Sequence, residues 1–251
     1  MAAGVEVSAG QRSVNGAGTY VYGIARAAPQ IRHAGVVGGD VVAIEHGSLA
    51  AIVSAVPSTD IRAKRCDLLA HQAVLQEAFA SGPVVPLRFG TVFDDADAVV
   101  AELLASRHDE LVRLLARFDG LAELLVRAHY LEDAVLREIV RDDPRVARLR
   151  ATQSADIMLG EAVLSALVAK RAVEADKIER ALVPLAQNSL LEEPRTEYEL
   201  FRGAFLVEQE ALASFDAKMD ELARARSGTV VFKYVGPLPP QSFAGLEALG
   251  E

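Results

Sequence analysis

The chain has 251 residues, 51% hydrophobic and 24% charged, with a net charge of −9. That balance is ordinary for a folded protein, with room for one large domain or two of about 100–150 residues and a core that needs no covalent staple. Residues 1–119 carry 10 basic and 13 acidic side chains and residues 120–251 carry 16 and 22. Neither half has the basic excess that phosphate neutralisation demands, so nucleic acid is not an expected partner, and an acidic surface is a poor match for anionic lipid heads.

No apolar run reaches the roughly 18 residues of a membrane span, so no membrane partner is expected. Cys66 is the only cysteine. It closes no internal disulfide and suits a reducing cytoplasm. Residues 1–18 are rich in Ala, Gly and Ser and lack the basic start and apolar run of a signal peptide, so a disordered leader is expected there.

Thr19–Ile24 is β-rich and reads as a first strand, followed by strands at Asp40–Glu45 and Leu49–Val56 around a His46-Gly47-Ser48 turn. Asp60 is placed to cap a helix whose stripe is Leu68, Gln72, Leu75 and Phe79, ended by Ser81-Gly82-Pro83. Val84–Leu87 reads as a buried strand, with Pro86 favouring an edge or a bulge. Asp94, Asp95 and Asp97 suit the start of a helix reaching about Phe118, broken near Ser106.

Gly120 marks a boundary, after which the pattern restarts. A strand is expected over Leu121–Tyr130 and a helix over Glu132–Arg141, stopped by Asp143-Pro144. A long helix over Ser154–Ala186 would bury Ile157, Leu164, Leu167, Val168, Ala175, Ile178, Leu182 and Leu185. Strands at Asn188–Leu191 and Glu197–Val207, a helix at Glu208–Arg226 and a strand at Thr229–Val235 complete this half. The expected class is α+β with two domains. The C-terminal one has the β-α-β-β-α-β order of a ferredoxin-like fold with an enlarged helical insertion, and the N-terminal one is a related β-β-β-α-β-α arrangement. The expected divisions are a leader at 1–18, domains at 19–119 and 120–235, and a proline-rich tail at 236–251.

Little in the chain resembles a reaction centre. None of His33, His46, His71, His108 and His129 lies three or four residues from another His or Cys, so no local metal spacing exists. Cys66 stands near Arg62, Lys64 and Arg65, surroundings that lower a thiol pKa, but a structural thiol is the simpler reading. Gly35-Val36-Val37-Gly38-Gly39 precedes a strand instead of joining a strand to a helix, unlike a phosphate loop. No catalytic, cofactor-binding or metal residue is expected, and no cofactor.

Arg88 is either an anchor tying its strand to a carboxylate, the preferred reading, or a contact for an anion or partner. The tail Gly236–Phe243 has three prolines in eight residues. It can form neither a helix nor a central strand, and stiff extended backbone loses little entropy on docking. It either packs on its own domain or serves as a docking strap.

Val85-Pro86-Leu87-Arg88-Phe89-Gly90-Thr91-Val92-Phe93 and Lys233-Tyr234-Val235-Gly236-Pro237-Leu238-Pro239-Pro240-Gln241-Ser242-Phe243 resemble the gas vesicle protein GvpF/GvpL family. Tyr22-Gly23-Ile24, Val53–Pro57, His71 and Ala204–Val207 extend the similarity over residues 20–243. Leu238 and Gln241 stand where the family's tail carries aromatics.

The resemblance implies a minor gas vesicle protein of two α+β domains without known catalytic activity, located in the cytoplasm and at the vesicle. Its implied partners are the gas vesicle shell protein and other accessory proteins, whose assembly it would assist. Arg88, Phe89, Gly90, Gly236, Pro237, Pro240 and Phe243 are the interaction candidates, with Val84–Leu87 as an edge for strand addition. The alternatives are a small-ligand-binding regulatory protein, with a glycine-lined pocket near Gly35–Asp40, and an enzyme using Cys66 or scattered histidines.

Overall fold

Strand β1 (Gly18–Ala25) is apolar, small or aromatic at every position and is buried throughout. In the computed structural model, which describes residues 17–152 and 156–245, it is the central strand of the first sheet. The expected leader falls almost wholly outside the described residues. β1 pairs antiparallel with β3 (Leu49–Val56) and with β4 (Val84–Pro86), and β2 (Val41–His46) closes the far side in the order β2-β3-β1-β4. β5 (Val92–Phe93) also pairs with β1. β4 and β5 therefore behave as one interrupted strand, from which Leu87–Thr91 loops out.

The register of β1 against β3 slips between Val21 and Gly23. At the bulge the Tyr22 carbonyl accepts the Leu87 N–H at 2.9 Å, while Val21 N–H donates to Thr91 O at 2.9 Å. Both ends of the loop are thus tied to β1. Gly90, at φ +93°, supplies the left-handed turn inside it.

Helix α1 (Arg65–Phe79) starts later than Asp60 predicts, with Lys64 as a cap that makes no side-chain bond. Asp60 is held instead in a local turn, its N–H on Ser58 Oγ at 3.1 Å. α1 buries His71, Val74, Leu75 and Ala78 but leaves Leu68 and Leu69 exposed. Asp95 caps the short helix α2 (Ala96–Ala98) by accepting from Ala98 N at 2.8 Å. The helix continues as a π-turn over Val99–Ala105 and restarts as α3 (His108–Phe118).

The chain forms two compact units. The first runs to Leu121 and resumes at Leu238, and the second is Ala122–Pro237. In the second, the sheet order is β7-β8-β6-β9, with the ten-residue strands β6 (Leu121–Tyr130) and β8 (Glu199–Glu208) in the middle and β7 (Asn188–Leu191) and β9 (Val230–Leu238) at the ends. α4 (Glu132–Asp142), α6 (Asp156–Leu182) and α7 (Leu212–Ala225) pack around a core that includes Phe205 and Phe215, rings 5.4 Å apart.

Asp143-Pro144 ends α4 as expected but also starts another helix, α5 (Pro144–Ala151). Asp143 Oδ1 accepts from the N–H groups of Arg145 and Val146, and Pro144 occupies the first turn, where no donor is needed. The stripe expected on α6 is half right. Leu167, Ile178 and Leu182 are buried, whereas Ile157, Leu164 and Val168 are exposed. A periodic apolar pattern alone cannot say which of two stripes faces the core.

Glu199 is buried beside Arg202. Its Oε1 accepts from Arg202 Nη2 at 2.7 Å, and its Oε2 from the Arg195 N–H at 2.7 Å. Burial works to raise its pKa, but the Arg195 amide and the Arg202 guanidinium outweigh it and hold the carboxyl below its ordinary value.

Candidate functional site

The excursion Leu87–Thr91, α1 and the tail enclose a groove of about 920 Å³ in the first unit. α1 contributes Leu68, His71 and Gln72, the excursion contributes Arg88 and Phe89, and the tail contributes Gln241 and Ser242. The two segments singled out in the sequence, far apart along the chain, thus meet on one surface.

Tyr20, Tyr22, His71 and Phe89 form an aromatic cluster beneath the groove, with ring centroids 4.8–5.9 Å apart. Tyr20 Oη accepts from Gly90 N–H at 3.1 Å and lies 2.9 Å from His71 Nδ1. We assign the Tyr20 O–H as donor to Nδ1, which leaves the imidazole proton on Nε2, facing the Leu87 backbone without a completed hydrogen bond. Burial lowers the His71 pKa to about 4 and raises that of Tyr20, so both are neutral near pH 7.

Beside them, Tyr22 Oη accepts from Val36 N–H at 2.7 Å and shares a bond of 2.8 Å with Ser54 Oγ. Asp67 Oδ1 accepts from Val37 N–H at 3.0 Å. The glycine-containing loop near Gly35–Asp40 is thereby packed onto Tyr22, Ser54 and Asp67. A Cβ on Gly35 would collide with the Tyr22 hydroxyl. This loop does not contribute a wall to the groove.

Arg88 is exposed and makes no ion pair among the described residues, which removes the anchor reading. Sequence context suggested burial because the neighbours are apolar, but the side chain follows the excursion outward. Its backbone carbonyl is the structural part, accepting from Thr91 Oγ1 at 2.9 Å. Phe89 is half-buried in the cluster. The edge expected at Val84–Leu87 is buried, with Val84 and Val85 fully enclosed, so it offers no surface for strand addition.

In the tail, Pro239, Pro240, Phe243 and Ala244 are buried and Gln241 and Ser242 are exposed. Gln241 Nε2 approaches Gln72 Oε1 at 3.5 Å. Burying the Phe243 side chain contributes about 1.5–3 kcal/mol. Gly236 and Pro237 are elsewhere, at the end of β9 in the second unit. Gly236 has φ +155°, and a Cβ there would meet Leu124 and lie 2.9 Å from Glu123 O. An edge strand accepts Pro237 where a central one would not.

Cys66 is exposed at the start of α1, outside the groove. Among the described residues no three His, Cys, Asp or Glu side chains group as metal ligands, and no helix is long and apolar enough to cross a membrane.

The model of the gas vesicle synthesis protein GvpL/GvpF family matches residues 18–245. The chain belongs to this family. Gas vesicle protein F of Streptomyces sp. (strain CB03234) is 37% identical over 238 residues, which are 90% of this chain and 98% of that protein. Gas vesicle protein L of the same strain is 27% identical over 259 residues, 90% and 92% of the two chains. The crystal structure of GvpF from Anabaena sp. PCC7120 matches with a TM-score of 0.79 at 23% identity, covering 91% of this chain and 98% of that one. At that identity it speaks for the α+β fold. The role in gas vesicles rests on the family match and the Streptomyces relative.

The sequence located Tyr22 and His71 without indicating that they pack together, and it missed Tyr20 and Gln72 as parts of the site. Tyr20 and His71 are 51 residues apart, a separation that no local periodicity spans.

Proposed function

We propose that this family member is a non-enzymatic assembly factor, and that its groove holds an apolar segment of the gas vesicle shell protein while the shell nucleates. The observation that carries this is the convergence of Arg88-Phe89 and Gln241-Ser242 on one groove. Its floor is aromatic and neutral, its rim includes the exposed Leu68, and among the described residues that line it the one formal charge at neutral pH is Arg88. Such a surface suits an apolar segment with an acidic residue near one end. Other accessory proteins would then meet the chain elsewhere, and the protein would act in the cytoplasm and at the vesicle.

The second unit is read as ferredoxin-like with an enlarged helical insertion. Its β-α-β-β-α-β element order and the strand order β7-β8-β6-β9 support that reading.

The test is co-expression of R88E and F89A variants with the remaining proteins of the vesicle gene cluster, alongside a pull-down of the shell protein. Folded variants that lose shell-protein capture and vesicle yield support the groove. Unchanged capture and yield in both variants would sink it.

A further inference from the structure

The stripe of α6 that turns away from its core is apolar, with Ile157, Leu164 and Val168 exposed by 76%, 49% and 46%. A stripe of this kind on a long helix needs an occupant, and the charges beside it indicate which. In a heptad frame Ile157, Leu164 and Arg171 fall at one seam position and Glu161, Val168 and Ala175 at the other. That order is a palindrome about residue 166. Leu164 and Val168 lie about 3 Å either side of the midpoint, and Glu161 and Arg171 about 7.5 Å.

We propose that α6 pairs antiparallel with α6 of a second copy of this chain. A twofold axis at residue 166 sets Leu164 of one copy against Val168 of the other, twice. The same operation sets each Glu161 against the other copy's Arg171, while Ala175, which is half-buried against its own core, ends the seam opposite Ile157. A parallel arrangement would put Glu161 on Glu161 and Arg171 on Arg171, so charge selects the antiparallel one.

Neither charged group is committed to an ion pair among the described residues, although Arg171 is half-buried. Glu161 is exposed and makes no ion pair among the described residues, and Arg171 makes only a long contact, Nη1 to Glu197 O at 3.4 Å. The opposite side of α6 is already engaged, with Ala162 and Leu167 in the core and Lys170 on Glu138 at 2.9 Å. A seam this short predicts a weak dimer, with a Kd on the order of micromolar.

Sedimentation equilibrium of the full chain tests this, with E161R and R171E as variants. Each single reversal opposes like charges in both copies and should weaken self-association by about tenfold or more. Mixing E161R with R171E restores both pairs, because one copy then carries arginine at both positions and the other glutamate. Recovery in the mixture also shows that the variants are folded. A wild-type monomer at all concentrations overturns the proposal, as does a dimer indifferent to either reversal or weakened variants that fail to recover when mixed. A wild-type monomer whose L164E variant loses capture of a vesicle protein assigns the face to that protein and equally rejects the second copy.

Discussion

Among the described residues of the first unit most buried polar side chains are uncharged: Thr19, Ser54, His71 and Thr91, with the hydroxyls of Tyr20 and Tyr22, and Asp67 as the exception. The second unit buries an ionic pair, Glu199 with Arg202, and adds a half-buried set of Glu138, Lys170, Glu174 and Arg226. The contrast follows from how each sheet is covered. The first presents phenols to a helix that carries an imidazole, and neutral groups desolvate cheaply. The second closes the start of β8 with a carboxylate that needs a cation and amide donors to stay buried. Neutral networks tolerate loss of a member better than ion pairs do, and the two respond to pH over different ranges.

The largest expected effect breaks the ionic side. R202A leaves Glu199 buried without its guanidinium and should destabilise the protein by about 3–5 kcal/mol in urea unfolding. A loss below about 1 kcal/mol would mean that the Arg195 amide alone suffices.

Next comes pH. His71 titrates at about 4 when folded and at 6.5 when unfolded. Between those values the unfolded chain binds the extra proton, so stability is full above 6.5 and falls as pH drops toward 4, by about 3 kcal/mol in all. The lowered Glu199 gives stability present above the ordinary carboxylate value of 4.5 and lost only below it. Amide exchange at pH 5 should therefore show β1 and β3 weakened before β6 and β8, and H71F should flatten the first trend. Equal weakening of both sheets would refute the assignment to His71.

A smaller effect sharpens the neutral side. Y22F strips Val36 N–H and Ser54 Oγ of their shared partner and should cost about 2 kcal/mol, read as a lowered melting temperature. The smallest is C66A. The thiol is exposed and outside the groove, so stability should shift by less than about 0.5 kcal/mol and vesicle yield should not change.

Element types were largely legible in the sequence, because β1, β3 and α7 carry strong local patterns. What stayed hidden depends on partners distant in the chain. Ser58 ties the Asp60 N–H into a local turn, so Asp60 caps nothing and α1 starts at Arg65 after Lys64. Pro144 reads as a stop and is equally a start, which conceals α5. On α6 two apolar stripes compete for one core, and only tertiary packing decides between Leu167 and Leu164. The groove was half legible: both motif segments stood out, but their meeting is a property of the fold. Arg88 was misread because apolar neighbours in sequence are not neighbours in space once the chain loops out.

The first unit is discontinuous along the chain, with residues from Leu238 on completing what the segment ending at Leu121 begins. Synthesis proceeds from the N-terminus. A ribosome-bound chain can therefore build the first sheet and α1 early, but it lacks one wall of the groove until Gln241 and Ser242 have emerged. A nascent chain lacking Gln241 and Ser242 would carry an open, incomplete groove, so the proposed docking would wait until those residues have emerged.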